Sequence, residues 1–62
     1  NLFGDLENET LVLNALTEQG SMNTDQLSIH TRIPVHELSA LLTQLELEEK
    51  ILSLPGKNYM IK

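Results

Sequence analysis

Residues 32–61 read RIPVHELSALLTQLELEEKILSLPGKNYMI, and the fold is decided within them. Proline pushes the residue before it into extended backbone and itself suits a first helical turn, so Ile33-Pro34 closes one element and Pro34 or Val35 opens the next. From there Val35, Leu38, Leu41, Leu42 and Leu45 recur at helical spacing and predict a helix over about residues 35–48. Leu47 breaks this pattern, pointing nearly opposite Leu38. After Lys50 the period changes. Ile51-Leu52-Ser53-Leu54 and Asn58-Tyr59-Met60-Ile61 flank Pro55-Gly56, where Pro presets φ at the second position of a type II turn and Gly accepts the positive φ of the third. A two-stranded hairpin over about residues 51–61 follows.

Upstream, Leu6, Val12, Leu13 and Leu16 share one helical face, predicting a first helix over about residues 6–18 with Asp5 as its cap and Gly20 as its end. Leu11 and Ala15 lie at the edge of that face and are expected to be partly exposed. Ser21 to Asn23 read as a short link. Asn23 or Thr24 then caps a second helix over about 24–31, with Leu27 and Ile29 as its inward positions. Residues 1–5 read as a lead-in, and residues 6–62 as one domain with a core of Val12, Leu13, Leu16, Leu27, Leu38, Leu41, Leu42 and Leu45. This is a mainly α fold with a small β-hairpin. Three helices plus a closing hairpin, the wing, is the order of a winged helix-turn-helix domain, whose third helix usually enters the DNA major groove. Architecture alone does not establish such contact.

Composition narrows the function. Sixty-two residues make one small domain, without room for a scaffold and a catalytic cleft together. Hydrophobic residues make up 40% and only Phe3 and Tyr59 are aromatic, enough apolar material for a helix-rich core. With no cysteine there is neither a disulfide framework nor a thiolate zinc site, so a reducing, cytoplasmic setting is expected. No apolar run approaches the roughly 20 residues needed to span a bilayer, and residues 1–5 lack the blocks of a signal peptide. The absent initiator Met suggests a piece of a longer protein. Nine Asp and Glu oppose four Lys and Arg, a formal net charge of −5. Affinity for nucleic acid depends largely on cations displacing counterions from phosphates, so any DNA role is expected to be weak or assisted.

The residues also resemble a known family. Leu45-Glu46-Leu47-Glu48-Glu49-Lys50-Ile51-Leu52-Ser53-Leu54-Pro55-Gly56-Lys57-Asn58-Tyr59 is similar to the closing segment of bacterial DNA processing protein A, the DprA/Smf family. Asp25-Gln26-Leu27 and Arg32-Ile33-Pro34-Val35-His36-Glu37-Leu38 resemble the carboxy-terminal winged helix of the same family, so the likeness spans about residues 6–61. Lys50 stands where that pattern commonly has Gly, so a helix exit there would use a residue that tolerates left-handed backbone less well. The resemblance implies a non-catalytic accessory domain attached to a Rossmann-like domain that binds incoming single-stranded DNA and helps load the recombinase RecA in natural transformation.

Two candidate surfaces result. The outward face of the third helix carries His36, Glu37, Ser39, Ala40, Thr43 and Gln44, with no Lys or Arg. Candidate DNA contacts are therefore Arg32, His36, Ser39, Thr43, Gln44 and the wing residue Lys57, effective when tethering raises local concentration. The second is a mixed acidic and apolar patch of Leu11, Ala15, Glu46, Leu47, Glu48 and Glu49, suited to a protein partner such as RecA, another subunit or the neighbouring domain. The net charge favours the second role, protein interaction or domain positioning, with weak DNA contact as the alternative. Packing of Leu47 against the hairpin is the ordinary expectation for that residue. His30 and His36 sit on different expected helices with no Cys or clustered Asp, and Gly56-Lys57 lacks the spacing of a phosphate loop, so no catalytic, cofactor or metal site is expected.

Overall fold

The computed structural model describes residues 2–62, with side chains from Glu7 onward. The expected cap Asp5 and core position Leu6 thus lie outside the residues whose side chains are described. The elements run α1 (Leu2–Gln19), β1 (Ser21–Asn23), α2 (Thr24–Thr31), α3 (Val35–Leu47), β2 (Ile51–Leu54) and β3 (Asn58–Ile61). The first helix begins at Leu2, earlier than the expected start near residue 6, so residues 2–5 are helical.

Ser21–Asn23 is a strand, not a link. It pairs antiparallel with β3 through Ser21↔Met60, Met22↔Tyr59 and Asn23↔Asn58, giving a three-stranded sheet of order β1-β3-β2 in place of an isolated hairpin. On the other side of β3, Ile51↔Ile61, Leu52↔Met60, Ser53↔Tyr59 and Leu54↔Asn58 set the hairpin register. Because side chains alternate along strands, Met22, Ser53, Tyr59, Ile51 and Ile61 share one face of the sheet. That face carries Met22 and Ile51 into the core.

The core comprises Val12, Ala15, Leu16, Met22, Leu27, Ile33, Leu38, Leu42, Leu45 and Ile51, with Leu13, Leu41, Tyr59 and Ile61 partly buried against it. Ala15 is 1% exposed, contrary to the expectation that it edges the surface. The reason is that α1 packs against α2, α3, β1 and β3, so a broader stripe than one neighbour needs is covered. Ile29, expected to point inward, is 81% exposed, and Val35 is half-exposed. Ile33, assigned to a break, is buried instead.

Local hydrogen bonds explain how Ile33 is held. At the start of α2 the Asn23 Oδ1 accepts from the Gln26 N–H (2.7 Å) and the Gln26 Oε1 accepts from the Asn23 N–H (3.1 Å), a reciprocal capping box. At its end Arg32 adopts left-handed backbone (φ 64°) and donates its N–H to the Ser28 carbonyl at 2.8 Å. The Ser28 hydroxyl then donates to the Ile33 carbonyl (2.7 Å), while buried Thr31 donates its hydroxyl to the Leu27 carbonyl (2.6 Å). The chain turns sharply with its polar groups partnered. Pro34 follows as the N-cap of α3, with Leu38 N–H donating to its carbonyl at 2.9 Å.

The exit of α3 corrects a further expectation. The left-handed residue is Glu49 (φ 61°), not Lys50. Glu49 N–H donates to the Glu46 carbonyl (3.0 Å) and Lys50 N–H to the Leu45 carbonyl (2.9 Å), the paired bonds of a Schellman cap. A β-carbon in that backbone region costs about 1–2 kcal/mol, which glycine avoids. Part of this is offset by the greater freedom of glycine in the unfolded chain. Glu49→Gly is therefore expected to stabilise the domain by about 0.5–1 kcal/mol, read as a rise of a few degrees in a thermal melt. An unchanged or lowered midpoint would refute the strain assigned to this residue.

Candidate nucleic-acid interface

The wing is a three-residue loop, Pro55 to Lys57, between the closing pair Leu54↔Asn58. Gly56 has φ +81°, as the turn reading requires, and Lys57 is also left-handed at 60°. Asn58 Nδ2 donates to the Pro55 carbonyl at 3.1 Å and braces the loop. A β-carbon on Gly56 would stand 3.2 Å from that amide nitrogen, so a larger residue there would strain the left-handed backbone and displace the Asn58 side chain by a few tenths of an ångström.

Between wing and helices lies a cleft of about 460 Å³ lined by Asn23, Thr24, Asp25, Val35, Ser39, Gly56, Lys57 and Tyr59. Each wall has a structural cause. Val35 and Ser39 are one turn apart on α3, Asn23 to Asp25 form the capped start of α2, and the pairing Met22↔Tyr59 turns the Tyr59 ring toward the helices. Tyr59 packs partly on the core while its remaining surface faces the cleft.

Of the residues singled out in the sequence, Ser39 and Lys57 line this cleft. Arg32 is exposed at the exit of α2, and His36, Thr43 and Gln44 are exposed on α3 outside the cleft. Thr43 already donates its hydroxyl to the Ser39 carbonyl (3.0 Å), and Gln44 donates to the Glu48 carboxylate (3.4 Å). Tyr59, Val35, Asn23, Thr24 and Asp25 were not anticipated. Strand alternation over residues 58–61 was the available signal for Tyr59, but its meaning depended on β1, which the sequence reading had as a link.

The proposed interaction patch changes in composition. Leu11 (45%) and Leu47 (79%) are exposed, as are Glu46, Glu48 and Glu49, whereas buried Ala15 cannot contribute. Leu47 does not pack under the hairpin. It stands at the last turn of α3, past the end of the buried stripe set by Leu38, Leu42 and Leu45.

Charge is distributed unevenly. Lys50 bonds to Glu9 of α1 and lies 3.4 Å from Glu48, while Lys62 lies 3.4 Å from Glu49. The Glu9 hydrogen bond is the main reason the Lys50 ammonium titrates above its ordinary value, so it stays charged yet already faces carboxylates. Among the described residues, Arg32 and Lys57 form no ion pair. Among the described residues, the strong cations without an ion pair are therefore Arg32, three residues before α3, and Lys57, which shares the cleft with Val35 and Ser39, while Glu46, Glu48 and Glu49 gather at the other end of α3.

Three helices with a small antiparallel sheet whose last two strands form the wing define a winged-helix domain. A family model described as DprA winged helix domain matches residues 5–57, and the chain belongs to that family. No curated protein and no solved structure matches it. The family is a winged-helix one and not a catalytic one. Among the described residues, no group of three or more His, Cys, Asp or Glu is arranged to hold a metal ion, and no helix is long and apolar enough to cross a membrane.

Proposed function

We propose that this chain is a non-catalytic accessory domain of a DprA-type protein that makes weak, auxiliary contact with DNA through the start of α3 and the wing. The observation that carries this reading is that, among the described residues, Arg32 just before α3 and Lys57 on the wing form no ion pair while Lys50 and Lys62 are engaged by glutamates. Phosphate contacts fix register and base-edge contacts add discrimination, and exposed His36 and Ser39 lie between the two cations in sequence. Two cations release few counterions, so the contact matters when a stronger site holds the DNA nearby, as tethering to a Rossmann-like domain would arrange. In this reading the parent protein handles incoming single-stranded DNA and helps load RecA in the cytoplasm during natural transformation.

Salt dependence of the 62-residue chain tests it. With two phosphate contacts, association with an oligonucleotide should weaken with a log–log slope of magnitude about 1.4 for a single strand to about 1.8 for a duplex. Arg32→Glu with Lys57→Glu should abolish both the association and the slope. Binding that persists in the doubly reversed variant would end this proposal.

A second reading rests on Leu47, 79% exposed and flanked by Glu46, Glu48 and Glu49. Such a surface suits a partner presenting an apolar residue ringed by basic ones, within RecA, another subunit or the neighbouring domain.

A further inference from the structure

We propose that Leu47 at the exit of α3, with Glu46, Glu48 and Glu49 around it, docks head to tail into the cleft between wing and α3 of a second copy of this chain. Such docking names the partner of the Leu47 surface and rests on the reading of that surface as an interaction patch.

The two ends of α3 complement each other in shape and charge. At the exit a highly exposed leucine stands among three exposed carboxylates. Near the start lies the cleft of about 460 Å³, whose lining includes half-exposed Val35, Tyr59 and the exposed Lys57. That volume falls within the range of about 300–1,000 Å³ found for small-molecule sites, so one aliphatic side chain has room to enter. Exposed Arg32, three residues before the helix, adds a second cation. An apolar knob with acidic neighbours thus meets a partly apolar hollow with basic ones.

The contact has to form between copies. Val35 opens and Leu47 closes α3, and 13 helical residues span about 20 Å, so a chain cannot place its own knob in its own cleft. Within one copy the carboxylates are only partly answered. Lys50 lies 3.4 Å from Glu48 and Lys62 3.4 Å from Glu49, while Glu46 forms no ion pair among the described residues. All three also stand near the negative end of the helix dipole, which a cation from outside would offset. A knob that fits a hollow elsewhere on the same surface gives a heterologous contact, which repeats head to tail instead of closing as a symmetric pair.

Two features limit its strength. The net charge of −5 and the Asp25 carboxylate at the cleft both repel an incoming acidic surface. One inserted side chain with its neighbours also buries less than the roughly 1,000 Å² of a stable interface. Association is therefore weak in free solution and effective where copies are held close. A copy whose Arg32 and Lys57 face another copy's glutamates cannot offer those cations to phosphate.

Sedimentation equilibrium and backbone amide shifts of the 62-residue chain test the docking. Millimolar protein is used at about 0.15 M salt, where charges more than about 8 Å apart are largely screened. The average mass should rise with concentration, with shifts at Val35, Ser39, Gly56 and Lys57 and at Glu46 to Glu49. Leu47→Gln and Lys57→Glu, both at exposed positions, should each weaken self-association about tenfold or more. Their circular dichroism should match that of the parent chain. Asp25→Asn should strengthen self-association severalfold. Mixed together, Leu47→Gln and Lys57→Glu should pair, because the first keeps an intact cleft and the second an intact knob. Assembly of that mixture should stop at two copies.

A chain that stays monomeric throughout would overturn the second copy as occupant while sparing the patch for a different basic partner. Self-association undiminished by Leu47→Gln would overturn both the docking and the patch reading. Failure of the two variants to pair, from a parent that self-associates, would overturn the head-to-tail arrangement in favour of a symmetric contact.

Discussion

Leu38→Ala is expected to leave most of the chain unfolded at room temperature. Leu38 is fully buried on α3 within the main hydrophobic core. Truncations of this kind cost about 2–5 kcal/mol, combining lost transfer free energy with the cavity left behind. A domain below about 70 residues rarely has more than about 3–5 kcal/mol in total, and this one has no cysteine with which to form a supporting disulfide. The loss and the whole stability are therefore of the same size. Far-ultraviolet circular dichroism during a thermal melt should show a weak, shifted or absent transition. Leu47→Ala is the matched control, because that side chain lies on the same helix but is exposed, and the change should stay within about 0.5 kcal/mol. Similar melts for the two variants would contradict the assignment of inward and outward faces.

The second large effect is expected at Met22. The residue is 7% exposed, on a strand only three residues long that packs against both α1 and α2. Met22→Ala should cost about 2–3 kcal/mol through the same transfer and cavity terms, near the lower bound because an edge strand can relax. Urea unfolding gives the free energy. Amide exchange gives the location, since protection should fall first along β1 and at its partners Tyr59 and Asn58 on β3. If Ser21–Asn23 were merely a connection, the substitution would change stability by less than about 0.5 kcal/mol and leave β3 exchange unaltered.

The parts of this molecule that could be read from the chain are those with local causes. A proline after Ile33 bounds α2 and α3, apolar spacing through Leu38, Leu42 and Leu45 makes one side of α3 inward, and Pro55-Gly56 forces a tight wing turn. Short-range capping chemistry at Asn23 and Gln26 likewise marks the beginning of α2. Other features have non-local causes. Three residues are too few for strand periodicity, so β1 exists because Met60, Tyr59 and Asn58 arrive beside it from the far end of the chain. Ala15 is covered because several elements meet on α1, and Ile33 because the Ser28 and Thr31 hydroxyls turn the chain inward.

The candidate site divides in the same way. Lys57 and Ser39 could be named in advance, since a wing tip and an outward helical position follow from element boundaries. Tyr59, Thr24 and Val35 join them only when the sheet closes against the helices and forms the cleft. Which lysines are neutralised was equally hidden, because the Glu9 and Lys50 groups are distant in sequence and meet only where α1 passes the exit of α3. Composition and short-range backbone preference were sufficient for the family architecture and the sparse positive charge. Assignment of each cation, and the shape left between wing and helices, required long-range packing, because burial and electrostatic neighbours are properties of space and not of order along the chain.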